Sequence, residues 1–177
     1  MGKAQCEYAD LDHFFGAYRH VTGERLTYEG GGDDPPDFLC GRQDGTLVGV
    51  ELTMIMHNYG GSPWSRLRSV FDAGNFMDPH EAASRMFDAA AAKAEKIHCH
   101  APAWLPRTIL VLQLMEAEGE RVARHLVYED FEDLGFAEIW AADWTGIEAY
   151  GNVELIGVLP EKWRGYHRNG WRSKPYG

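Results

Sequence analysis

The chain has 177 residues, 45% of them apolar and 25% charged, and carries a net charge of −10 at neutral pH. That length suits one domain with its own core, and no apolar run approaches the length that spans a bilayer. The acidic balance argues against a surface that coats nucleic acid broadly. Three scattered cysteines, Cys6, Cys40 and Cys99, with no export signal at the start, read as free thiols of a cytoplasmic protein.

Residues 7–21 predict a helix, since Leu11, Phe14, Phe15, Tyr18 and Val21 fall on one face at helical spacing. Glu7 projects into that stripe. It is either an acid of a first helical turn, favoured by the macrodipole, or a functional group. Tyr28–Pro35 is a turn-rich approach whose acids read as solvated loop charge. Two short strands follow, Pro36–Leu39 and Val48–Thr53, joined across Gln43-Asp44-Gly45. A two-residue turn would pair Phe38 with Glu51 and mix apolar and acidic groups on each face. A three-residue loop with Gly45 in the left-handed position pairs Asp37 with Glu51 instead. Then Phe38, Cys40, Val48, Val50 and Leu52 share one face, and Asp37, Leu39, Gly49, Glu51 and Thr53 the other, because strand side chains alternate. This second register sorts the residues cleanly.

Met54–Asp78 reads as an excursion at the mouth of the hairpin, with a short helix over Ser65–Phe71. Pro79–His98 predicts an alanine-rich helix whose apolar side is Met86, Phe87, Ala90 and Ile97; Lys93 lies within that sector and Lys96 on its flank. Arg107–Leu114 is the continuous apolar run of a strand covered on both faces. A helix over about Arg121–Leu134, closing at Gly135, and strands at Glu138–Ala142 and Val153–Val158 complete the order. The whole predicts an α/β fold, a three-layer core with a central mixed sheet flanked by helices, in one domain over 1–177 with a basic and aromatic tail at 161–177.

Two acids on an apolar hairpin need a partner or a metal. Glu7, Asp37, Glu51, the backbone carbonyl of Leu52, and Lys93 together suit a site for hydrolysing phosphodiesters. Hard cations such as Mg²⁺ take oxygen ligands, and a nearby ammonium neutralises charge in the transition state. Pro36-Asp37, then Glu51-Leu52-Thr53 fourteen residues on, and a helical acid thirty residues upstream of Asp37 resemble the PD-(D/E)XK nuclease superfamily. The helix–hairpin–helix–strand order, over roughly residues 5–115, is similar to its restriction-endonuclease-like core. The resemblance implies that Asp37 and Glu51 bind Mg²⁺ or Mn²⁺ and that Glu7 assists. Thr53 stands where the family places a lysine, so the resemblance assigns the amine to the following helix, to Lys93 or alternatively Lys96.

His98-Cys99-His100 matches no tetrahedral zinc spacing. Residues 161–177 carry a charge of +4 against −14 for the rest. Arg164, Arg168, Trp171 and Arg172 there combine stacking groups with cations, which suits nucleic-acid contact or a protein interface. The expectation is a Mg²⁺-dependent nuclease that cleaves nucleic acid with metal-activated water. The alternative is a non-catalytic binding or immunity-type protein of the same fold, whose acidic surface meets a basic protein partner.

Overall fold

A computed structural model describes residues 3–57, 76–147 and 151–168. Seven strands lie side by side in sequence order: β1 Thr27–Gly31, β2 Phe38–Gly41, β3 Leu47–Ile55, β4 Thr108–Leu114, β5 Glu138–Asp143, β6 Glu154–Leu159 and β7 Gly165–His167. The central strands β3, β4 and β5 are parallel, and antiparallel pairs flank them on both sides. Helix α1, Lys3–Thr22, covers one face; α2, Pro79–His100, and the short α3, Gly119–Ala123, cover the other. The fold is thus α/β, a mixed sheet between helical layers, as the pattern of apolar runs predicts. Among the described residues no helix is long and apolar enough to cross a membrane.

Side-chain alternation divides the core in two. Ile109, Val111 and Met115 pack with Phe38, Cys40, Val48 and Val50 under Leu11, Phe14 and Tyr18 of α1. Leu110, Leu112 and Leu114 pack under Met86, Ala90 and Ile97 of α2. Every residue of β4 is buried, which explains its unbroken apolar run. Asp78 caps α2 by accepting hydrogen bonds from the backbone N–H groups of His80 and Glu81, and Pro79 occupies the first turn. The buried face of α2 is mostly alanine (Ala82, Ala83, Ala90 and Ala94), so the helix axis approaches the sheet closely. A buried polar knot ties α1 to the hairpin and β5. Glu138 accepts from Arg42, from Tyr18 Oη at 3.2 Å and from Trp140 Nε1 at 2.7 Å.

Three elements differ from expectation. The helix expected over 121–134 stops at Ala123 and is followed by 3-10 turns at Leu126–Tyr128 and Glu132–Leu134. The buried stripe of Val122 and Leu126 would continue onto Glu129, Asp130 and Asp133, so the chain leaves the helical path and buries Phe131 instead. Gly135 does close the segment in the left-handed region, at φ 90°. The stretch read as turn, Tyr28–Pro35, holds all but Thr27 of β1, an exposed edge strand paired on the free side of β2. The first part of the tail is also structured, with β7 pairing on β6. Of the excursion expected over Met54–Asp78, Met54 and Ile55 belong to β3, and the short helix expected over Ser65–Phe71 lies outside the described residues, as do Trp171 and Arg172.

Candidate metal centre

The hairpin takes the three-residue register. Phe38 pairs with Val50, Leu39 with Gly49, Cys40 with Val48 and Gly41 with Leu47, so Asp37 and Glu51 stand opposite at the next rung. The loop is closed by Gly45 at φ 86°, whose N–H donates to Arg42 O at 3.0 Å, and by Asp44, which accepts from the Thr46 amide and hydroxyl. Just before β2 begins, the two acids are strapped to the backbone. The Asp37 N–H donates to Glu51 Oε1 at 3.1 Å, and the Leu52 N–H donates to Asp37 Oδ2 at 3.1 Å. In a strand the N–H and C=O of one residue point to the same neighbour, so the Leu52 carbonyl lies on this same open edge. Gly49 makes room for the strap. A Cβ there would stand 2.7 Å from Pro36 Cβ, so only glycine lets Pro36-Asp37 lie against β3.

From α2 the Lys93 ammonium reaches Glu51 Oε2 at 2.7 Å. The Glu51 side chain is 0% exposed and that of Lys93 22%. Burial raises the pKa of Glu51 above the ordinary carboxylate value and the charge of Asp37 adds to this, while the hydrogen bond and charge of Lys93 oppose it. A fully buried carboxylate beside a second one is a donor pair that could hold a cation.

Sequence reasoning missed Asp34. Asp34, Asp37 and Glu51 each place one carboxylate oxygen within 4.8 Å of the others, the one such group of three among the described residues. The loop folds back because the Gly32 N–H donates to Asp37 O at 3.0 Å and the Asp34 N–H to Pro36 O at 3.3 Å. The two prolines between the aspartates, which restrict the chain's path, were the available signal. Asp34 also binds Lys96, Nζ to Oδ1 at 2.9 Å, and this bond raises the lysine's pKa. The two lysines therefore divide the acids: Lys93 holds the buried Glu51 and Lys96 the exposed Asp34.

The other expected groups lie elsewhere. Glu7 is on α1, across the sheet from Lys93 and outside the carboxylate group; its charge acts on Asp10, one turn along the helix. Its neighbour Tyr8 packs on Phe38, with ring centroids 5.8 Å apart, so this turn of α1 overlies the same end of the sheet but on the opposite face. On β4, the strand beside this site, Gln113 is a core amide that donates to the buried Asp10 at 3.0 Å, in keeping with its place on an apolar central strand. Arg164 and Arg168 pair with Glu132 and Glu120, near β7. Four strand spacings, roughly 19 Å, separate β7 from β3. His98 and Cys99 are exposed at the end of α2, outside any group of three potential ligands among the described residues.

The donors at the centre are all oxygens, carboxylates plus the Leu52 carbonyl on the same edge. That set suits a hard divalent cation rather than zinc. Comparison of the chain with protein-family models, with curated proteins and with solved structures finds no match.

Proposed function

We propose that this protein is a Mg²⁺- or Mn²⁺-dependent phosphodiesterase acting on nucleic acid, of the PD-(D/E)XK kind with its lysine relocated to α2. The observation that carries this reading is the 2.7 Å contact of Lys93 with Glu51, which supplies the ammonium missing at Thr53. Asp37, Glu51 and the Leu52 carbonyl would hold the cation. When bound, such an ion polarises a phosphoryl oxygen and activates water. Glu51 Oε1 and Asp37 Oδ2 are fixed by backbone N–H groups, so their positions cost no reordering when substrate arrives. Lys93, oriented by Glu51 Oε2, directs its remaining protons toward charge that builds on the phosphate. A cytoplasmic setting belongs to the same reading, since Cys6, Cys40 and Cys99 are free thiols.

Purified protein is expected to cleave DNA or RNA when Mg²⁺ or Mn²⁺ is added. Asp37→Ala and Glu51→Ala each abolish cleavage with the far-UV circular dichroism unchanged, and Lys93→Ala lowers kcat about a hundredfold or more. Cleavage that survives both carboxylate changes refutes the assignment.

One surface favours a second reading, a non-catalytic module that binds a basic protein. A cleft of about 370 Å³ between β6 and the 3-10 turns is floored by Leu126, Phe131, Ile156 and Val158 and rimmed by Glu129 and Asp130. Val127 and Tyr128 beside it are 67% and 81% exposed. Absence of cleavage on every nucleic acid tried, with tight capture of a basic protein lost on Tyr128→Ala, selects this reading instead.

A further inference from the structure

The two lysines of the centre stand in opposite circumstances. Lys93 is largely buried and its partner Glu51 fully so, which fixes that ammonium in place. Lys96, one turn further along the same face of α2, is 40% exposed and its partner Asp34 68%. A solvated ion pair is weak and exchanges partners readily. Its partner Asp34 belongs to the carboxylate group, and the charges of Glu51 and Asp37 act on Lys96 as well, so Lys96 is part of the centre rather than apart from it. In a protein of net charge −10, a polyanion arriving at three clustered carboxylates meets repulsion that some cation must offset.

Resting on the nuclease reading above, we infer that Lys96 is the substrate-phosphate contact of this site and that Asp34 is its internal competitor. Asp34 holds the ammonium until a backbone phosphate displaces the carboxylate. Lys96 is then a binding and positioning residue, distinct from Lys93, which faces the reacting phosphate. Asp34 sets a threshold on substrate affinity and is not a ligand to the metal. The assignment explains why the centre has three acids and two amines, each exposed member paired with the other exposed member.

The test uses the full chain with a fluorescein-labelled DNA duplex and with labelled single-stranded RNA, in EDTA to prevent cleavage. Lys96→Gln should weaken binding and reduce the slope of log K against log salt by about 0.9 on duplex and about 0.7 on the single strand. With Mg²⁺ present, its loss should fall on KM rather than kcat. Asp34→Asn should bind several-fold more tightly than wild type and keep the calorimetric affinity for Mg²⁺ alone. Both positions are exposed, and an unchanged thermal midpoint confirms that each variant folds. A salt slope unmoved by Lys96→Gln, or an Asp34→Asn protein that loses Mg²⁺ affinity, overturns this inference while leaving the nuclease reading standing. Wild type that neither binds nor cleaves either strand type removes the nuclease reading and this inference with it.

Discussion

At the level of single residues, the Glu51–Lys93 pair is asymmetric, and the asymmetry has thermodynamic consequences. Glu51 is sealed from solvent, whereas Lys93 keeps a partial route to water. With a folded pKa above the unfolded value of about 4.5, Glu51 favours folding in its protonated form. That contribution is complete below about pH 4.5 and is lost as pH rises through the folded value. Glu51→Gln should therefore raise the thermal midpoint of metal-free protein at pH 8, with the gain shrinking toward pH 4. Lys93→Met should do the reverse, costing roughly 3 kcal/mol at pH 8 because it strands a buried charge, and less as the pH falls. Thermal melts across that pH range decide the matter; a Glu51→Gln protein that melts below wild type at pH 8 contradicts the argument.

At the level of elements, the hairpin delivers the acids and its geometry was largely legible. Period-two sorting of Phe38, Cys40, Val48 and Val50 against Glu51 admits one register, and Gly45 fits the loop that register requires. Lys93 was legible too, because helical spacing places it on the side of α2 that meets β3. Asp34 was not, since its position depends on the path of a loop without periodicity. Nor was β1, whose exposed, glycine-bearing residues show no alternation. The expected helix over 121–134 failed for a third reason: propensity favoured it, but its stripe runs into acids after Leu126. On the proposed nuclease function, the hairpin also predicts a substitution far more harmful to activity than to fold. Gly49→Ala drives a methyl into Pro36 and displaces Asp37, costing about 1–3 kcal/mol of stability. Cleavage should fall at least tenfold in protein that remains folded by circular dichroism, while Gly16→Ala, which meets nothing within 4 Å, leaves activity intact.

At the level of the whole molecule, the sheet is graded from centre to edge. The strands β4, β5 and β6 are buried along their full length, while β1 is mainly exposed and β7 half-buried. Amide hydrogen exchange should be slowest in β4 and β5, which are paired on both sides, and fastest in β1 and β7. The slow centre includes the upper half of β3, because Glu51 through Ile55 pair continuously with Leu110 through Leu114. Protection of the Thr53 amide, which faces β4, comparable to that of Val111 would show that the site rests on the most stable part of the fold. Exchange of Thr53 as fast as that of Tyr28 would place it on a fraying edge.

The alanine face of α2 carries a last implication, for how such a protein changes over generations. Lys93 and Lys96 ride on one rigid rod, and the height of that rod above the sheet is set by Ala82, Ala83, Ala90 and Ala94. A larger side chain at Ala90 would lift both ammonium groups together without touching either. If the protein cleaves nucleic acid as proposed, laboratory selection for altered cleavage should therefore gather substitutions beneath the helix, in residues remote from the acids. The spacing of two layers, as much as the chemistry of the acids, is the heritable control on this centre.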